Sequence, residues 1–179
     1  LNEVKKHIPI INDVINLILK RNPKERFIIA NSENIDEKIY EENFSNKDYV
    51  EIIKNENIYK TIDMCKVALA ASGTITLQIA LKKVPMCVFY KLSNPTYLIA
   101  KLLVKTKFIS LVNIVLEKKA VHEFIQGDAS SENIYSEIDK LINNMSYRNE
   151  MINNLDLLEK KLLNDSSKVT IYDLVKSIL

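Results

Sequence analysis

Apolar side chains recur at helical spacing in the first twenty residues: Val4, Ile8, Ile11, Val14, Ile15, Ile18 and Leu19 fall on one face, and Arg21-Asn22 closes the run. The spacing predicts an amphipathic helix over 3–21. Pro9 either bends it or marks the start of its main part, because proline lacks the donor for the previous turn. After Asn22-Pro23, the short apolar run Arg26–Ala30 reads as a buried strand. The alternation then repeats, with a helix over 35–43, a strand over 49–53, a helix over 58–64, a strand over 67–70, a helix over 74–82 and a strand over 85–90. Asn94-Pro95 is a helix start, with asparagine as N-cap and proline in the first turn, and predicts a helix to about Lys105. From Ser131 onward strand patterns cease, and the tail reads as two or three helices ending at Leu179. Strand and helix in short succession predict a parallel sheet with right-handed crossovers. The expected architecture is α/β: one domain over 1–130 and a helical C-terminal extension over 131–179.

Composition narrows the partners. Of 179 residues, 25 are Lys or Arg and 23 are Asp or Glu, a formal charge of +2, which lacks the basic excess of a nucleic-acid binder. Cys65 and Cys87 lie far apart, and only His7 and His122 could join them as soft ligands, so no metal site is expected. Both thiols are expected to be buried and reduced, as in a cytoplasmic protein. No secretory leader and no apolar run of membrane-spanning length stands in the sequence. The chain starts at Leu1 within a helical pattern, which suggests a piece of a longer protein.

Only two glycines occur, where about 7% is usual. One of them, Gly73, stands in Ala68-Leu69-Ala70-Ala71-Ser72-Gly73-Thr74-Ile75-Thr76-Leu77-Gln78, where a strand turns into a helix. Ligands of parallel α/β sheets bind at that kind of turn. A missing Cβ lets the backbone approach an anion, and the N–H groups of Gly73, Thr74 and Ile75 with the hydroxyls of Ser72 and Thr74 would form a cup for phosphate. A glycine that only eases a tight turn would look the same. The stretch is neither a Walker loop nor a dinucleotide fingerprint.

Val67 to Thr74 with the helix to Ala80-Leu81, then Val84-Pro85-Met86, Tyr90-Lys91, Leu102 to Lys105, Phe108 to Ile114 and Val121 to Gln126 form a series of blocks. In order and at matching spacing, they resemble the C-terminal half of the lipid-A-disaccharide synthase family. Glu3 to Pro9 is similar to the helix that follows the family's Gly-Ser-Arg loop. The resemblance implies a Rossmann-like domain of a GT-B glycosyltransferase, which joins UDP-2,3-diacylglucosamine to 2,3-diacylglucosamine 1-phosphate and releases UDP. It implies the donor-binding half, without the N-terminal half that supplies most of the acceptor site and the base. No catalytic residue, cofactor or metal is therefore assigned to this chain.

By the same resemblance, Ser72, Gly73 and Thr74 would hold the diphosphate. Gln78 stands where the family more often has Glu for the ribose hydroxyls, and Ile52 and Ile53 would lie near the uracil edge. Asn113, Glu123 and Gln126 match polar positions of the donor cleft, although Val112 and His122 replace prolines and Gly127 replaces an acidic residue. From the residues alone, Asn113 would cap a turn and Glu123 would be a solvated charge. His122 is excluded from the site. Gly73→Val is expected to abolish UDP binding with less effect on folding.

The implied partners are the UDP-linked donor, the missing N-terminal half and, as a second reading of the lysine-bearing apolar segment 97–108, an anionic membrane surface. That makes a cytoplasmic protein, peripheral at the inner membrane, with no nucleic acid and with oligomer formation left open. Two rival functions are a UDP-sugar 2-epimerase, which would carry a second glycine and paired acids after the serine, and a non-catalytic nucleotide-sugar-binding module.

Overall fold

In the computed structural model, which describes residues 2–31, 35–54, 58–71, 73–92 and 107–165, helix α1 spans Asn2–Arg21 and continues through an exposed Pro9. The alternation that follows is the predicted one, with ends shifted by a few residues. It comprises β1 (Phe27–Asn31), α2 (Lys38–Asn43), β2 (Val50–Lys54), α3 (Ile58–Met64), β3 (Ala68–Ala71), α4 (Ile75–Leu81) and β4 (Met86–Tyr90). Ser72 and the helix predicted from Pro95 to Lys105 lie outside the described residues. Two elements had no counterpart in the sequence reading: α5 (Leu111–Leu116) and β5 (His122–Ile125). The tail forms α6 (Ser131–Asn143) and α7 (Met145–Asp165), separated at Asn144.

The strands divide into two parallel sheets, β1-β2 and β3-β4-β5, where one sheet was expected. A wide apolar face on α1 serves both. Ile10 and Val14 pack with Cys87, Phe89 and Phe124 of the three-stranded sheet, whereas Ile8 and Ile15 pack with Tyr40 and Phe44 beside β1 and β2. The two helices from 131 onward cover both faces of the three-stranded sheet. Ile134 and Ile138 of α6 join α1 on one face. Met151, Leu155 and Leu158 of α7 join Leu77 of α4 and Val112 of α5 on the other. Leu155 and Leu158 are wholly inaccessible, and each such side chain contributes about 1.5–3 kcal/mol on burial.

Scarce glycine leaves its mark at helix ends. The left-handed positions after α4 and α5, where glycine is the usual residue, hold Lys83 (φ 57°) and Glu117 (φ 55°). Both side chains reach α7. Lys83 Nζ lies 2.7 Å from Asp156 and 3.3 Å from Glu159, and Glu117 lies 3.4 Å from Lys161 Nζ. Both cysteines are free. Cys87 is buried as expected, but Cys65 is only half-buried, and burial pushes both thiols up.

Candidate functional site

In a parallel sheet the carboxyl ends of the strands share one edge, and the chain leaves β3, β4 and β5 there. Among the described residues, Gly73, Lys91-Leu92 and Gln126 follow the strands at that edge. Gly73 has φ +123°, a backbone conformation that residues with side chains rarely adopt, and a Cβ built on it would meet nothing within 4 Å. The turn is held from the helix side. Thr76 donates both its N–H and its Oγ1 hydrogen to the Gly73 carbonyl, at 3.1 and 2.7 Å. The N–H groups of Gly73, Thr74 and Ile75 precede this first returning bond, so they are the ones a helix start leaves over. Thr74 is exposed, and its side chain makes no capping bond. The glycine is thus required by its φ as well as by its open face. The φ adds a backbone cost to Gly73→Val beside the expected loss of UDP binding.

Gln78 lies one turn along α4 and is half-buried. Ile53 is the penultimate residue of β2, half-buried and paired with Ala30. It stands at the carboxyl end of a different sheet from Gly73. Ile52, with its side chain in the cluster beneath α1, points away from that position, as strand alternation requires.

Asn113 departs from its expected place in an open cleft. It is wholly inaccessible, and its amide is spent inside the fold. Oδ1 accepts from the N–H groups of Ala120 (2.7 Å) and Val121 (2.9 Å), while Nδ2 donates to the Val121 carbonyl (2.9 Å) and to Glu123 (2.8 Å). A ligand finds no surface on it. The Glu123 carboxylate in turn accepts from the N–H groups of Ile109 (3.0 Å) and Ser110 (2.8 Å), so it is neither a solvated charge nor an uncommitted cleft acid. Ser110, wholly inaccessible, caps α5 by accepting from the Asn113 N–H at 3.3 Å.

Gln126 follows β5 directly, with φ 52°. Its Oε1 accepts from the Leu92 N–H at 3.2 Å. Its Nε2 is buried with no hydrogen-bond partner among the described residues. Left-handed backbone and an orphaned donor in one residue are features that concentrate at functional sites.

Sequence reasoning missed His7, which reaches the same edge from α1. It is buried, packs tilted against Phe89 with ring centroids 4.6 Å apart, and accepts the Lys91 N–H at Nε2 (3.2 Å). Beside it the Tyr90 hydroxyl donates to Glu3 at 2.9 Å, and burial together with that bond pushes the phenol up to about 12. The predicted helix placed His7 on the apolar face, but nothing in the pattern showed what it would meet. Burial holds the imidazole below its ordinary value, outweighing nearby Glu3 and the backbone hydrogen bond with Lys91, while the charges of Lys6 and Lys91 act in the same direction as burial. A histidine depressed in the fold takes up its proton more readily when unfolded. Its contribution is therefore complete above about pH 6.5 and is lost as pH falls through the depressed value. His122, also depressed, titrates in the same direction. Urea unfolding of the chain should show falling stability below pH 6.5, and His7→Gln, which keeps an acceptor without titrating, should flatten that slope. An unchanged slope would remove His7 from the account.

His122 stands at the start of β5, opposite Cys87 and away from the carboxyl edge, with Nδ1 3.4 Å from the buried carboxylate of Glu137. Among the described residues, no group of three potential metal ligands occurs, and no helix is long and apolar enough to cross a membrane.

A family model described as lipid-A-disaccharide synthetase matches residues 1–172. Lipid-A-disaccharide synthase 1 of Legionella pneumophila strain Philadelphia 1 is 30% identical over 174 residues, covering 97% of this chain and 45% of that protein. The lipid-A-disaccharide synthase of Acinetobacter baylyi is 30% identical over 176 residues, covering 93% of this chain and 44% of that protein. That of Coxiella burnetii strain RSA 331 is 36% identical over 113 residues, covering 63% and 30%. The chain thus spans less than half the length of these relatives, and across nearly its whole extent it belongs to the lipid-A-disaccharide synthetase family.

Proposed function

We propose that this chain is the donor-binding half of a lipid-A-disaccharide synthase and holds the UDP moiety of UDP-2,3-diacylglucosamine at the carboxyl edge of its three-stranded sheet. The observation that carries the reading is the open face of Gly73, at a strand-to-helix turn where a diphosphate can approach the backbone. The diphosphate takes the N–H groups of Gly73 and Thr74, with Ser72 beside them. Gln126 offers its unpaired Nε2, Gln78 meets the ribose, and Ile53 lies toward the uracil. In the reaction a hydroxyl of 2,3-diacylglucosamine 1-phosphate attacks the anomeric carbon of the donor as the bond to UDP breaks. The proton passes to a base outside this chain, so the chain by itself binds UDP and transfers no sugar. Residues 1–130 and 131–179 act as one nucleotide-sugar-binding domain. The acyl chains of both substrates bring the protein to the cytoplasmic face of a membrane. An epimerase reading is not favoured, since the relatives are named as synthases and Gly73-Thr74 lacks the second glycine.

Calorimetry with UDP tests the site, and Gln78 sharpens the test. A carboxylate accepts from both ribose hydroxyls, whereas an amide presents one oxygen. Charge-assisted bonds contribute about 1.5–3 kcal/mol against about 0.5–1.5 for neutral ones, so Gln78→Glu should tighten UDP binding by about 1 kcal/mol after repulsion from the diphosphate. No comparable gain is expected with 2′,3′-dideoxy-UDP. Equal gains for both nucleotides, or none for UDP, would remove Gln78 from the ribose.

A further inference from the structure

Three donors converge on the carboxylate of Glu123: the N–H groups of Ile109 and Ser110 and the Nδ2 of Asn113. Asn113 passes the connection on to Ala120 and Val121, the two residues that lead into β5. Both ends of α5 are thereby tied to one strand, its first turn through Glu123 and Ser110 and the segment after its last turn through Asn113. The cap of α5, Ser110, is thus bonded to the second residue of β5. Leu111 and Val112 of α5 share one packed cluster with Leu77 of α4, the helix that Gly73 opens. Gln126, whose Nε2 has no partner among the described residues, stands three residues beyond Glu123 on the same chain.

We infer that Glu123 is a positioning residue for the donor site: with Asn113 it sets the 109–110 turn and the start of α5 against β5, and it makes no contact with the nucleotide. The inference rests on the donor-binding reading above. Every partner of the carboxylate is a donor, so a carboxamide cannot replace it. In Glu123→Gln at least one N–H faces the new amide hydrogens, and the turn at 109–110 is released.

The test compares UDP with 2′,3′-dideoxy-UDP on the wild-type chain and on Glu123→Gln, with Glu123→Asp as a second variant that keeps the charge on a shorter arm. Calorimetry is read beside the amide proton shifts of Ile109 and Ser110. Positioning predicts that Glu123→Gln weakens both nucleotides by the same factor, roughly tenfold, while both amide resonances move upfield with the lost carboxylate. Glu123→Asp should show a smaller but again equal loss. A loss confined to UDP would mean that the carboxylate touches the ribose, and the inference would be overturned. Unchanged affinity for both nucleotides would overturn it as well. If Glu123→Gln does not fold, the ratio of the two losses in Glu123→Asp decides between the same outcomes. Failure of the wild-type chain to bind UDP would be a different result, overturning the proposed site and the positioning role together.

Discussion

Gly73→Val is expected to lose UDP affinity by about a hundredfold and to lower the stability of the chain by about 1–3 kcal/mol. The stability loss follows from the backbone. At φ +123° a side-chain-bearing residue is strained whatever space surrounds it, and strain of that kind costs about that much. The affinity loss follows from the open face: among the described residues nothing lies within 4 Å of the space that a Cβ would enter, and the proposed site brings the diphosphate there. Overfilling a fitted contact costs about 1–3 kcal/mol, which converts to the expected loss of binding at its upper end. Gly73→Ala separates the two causes. Alanine carries the same backbone strain with a smaller side chain, so its stability loss should match that of valine and its affinity loss should be clearly smaller. Denaturant unfolding and calorimetry measure both quantities. Equal affinity losses for the two variants, or unchanged UDP binding in a folded Gly73→Val, would make the turn structural only.

The largest stability effect is expected at Asn113. Replacing it by alanine removes four side-chain hydrogen bonds from a site with no solvent access. The N–H of Val121 and the Glu123 carboxylate then lose a buried partner, while the Ala120 N–H keeps the Lys118 carbonyl at 2.9 Å, and a buried orphan costs about 1–3 kcal/mol. A total of about 3–5 kcal/mol is expected, against the few tenths typical of a surface asparagine. Asn113→Asp keeps the acceptor for the Ala120 and Val121 N–H groups but sets a second carboxylate beside Glu123, so it should be costly as well. Urea unfolding of both variants measures this. A loss below about 1 kcal/mol for Asn113→Ala would show that Asn113 does not brace the fold.

Much of the fold is legible along the chain because its signals are local. The helix of 2–21 follows from apolar spacing alone, and the strands at Phe27–Asn31 and Met86–Tyr90 follow from short apolar runs bounded by turn residues. The turn at Gly73 is legible for a different reason. In a chain with two glycines, one at a strand-to-helix junction marks a backbone that other residues cannot adopt.

Where the local signal was ambiguous or misleading, packing decided. Leu111–Leu116, read as LVNIVL, is rich in β-branched residues and carries no helical pattern, yet it forms α5 because Ser110 caps it and α4 and α7 cover its apolar face. His122–Ile125 is only four residues long and half polar, and it becomes a strand by pairing with β4. Asn113 and Glu123 could be noticed as polar residues at family positions. Their roles depend on which backbone groups they meet across 7 to 14 residues of sequence, and no spacing rule reaches that far. His7 shows the same limit from the other side of the chain: its apolar-face position can be read from the helix period, but its partner, the Lys91 N–H, is 84 residues away. The sequence by itself determined the alternation of helices and strands from α1 to β4 and the turn at Gly73, because backbone preference and side-chain period act over a few residues. The tertiary structure alone decided which polar side chains stay open to a ligand and which are consumed in holding the site, because every buried donor and acceptor must find a partner wherever the fold places one.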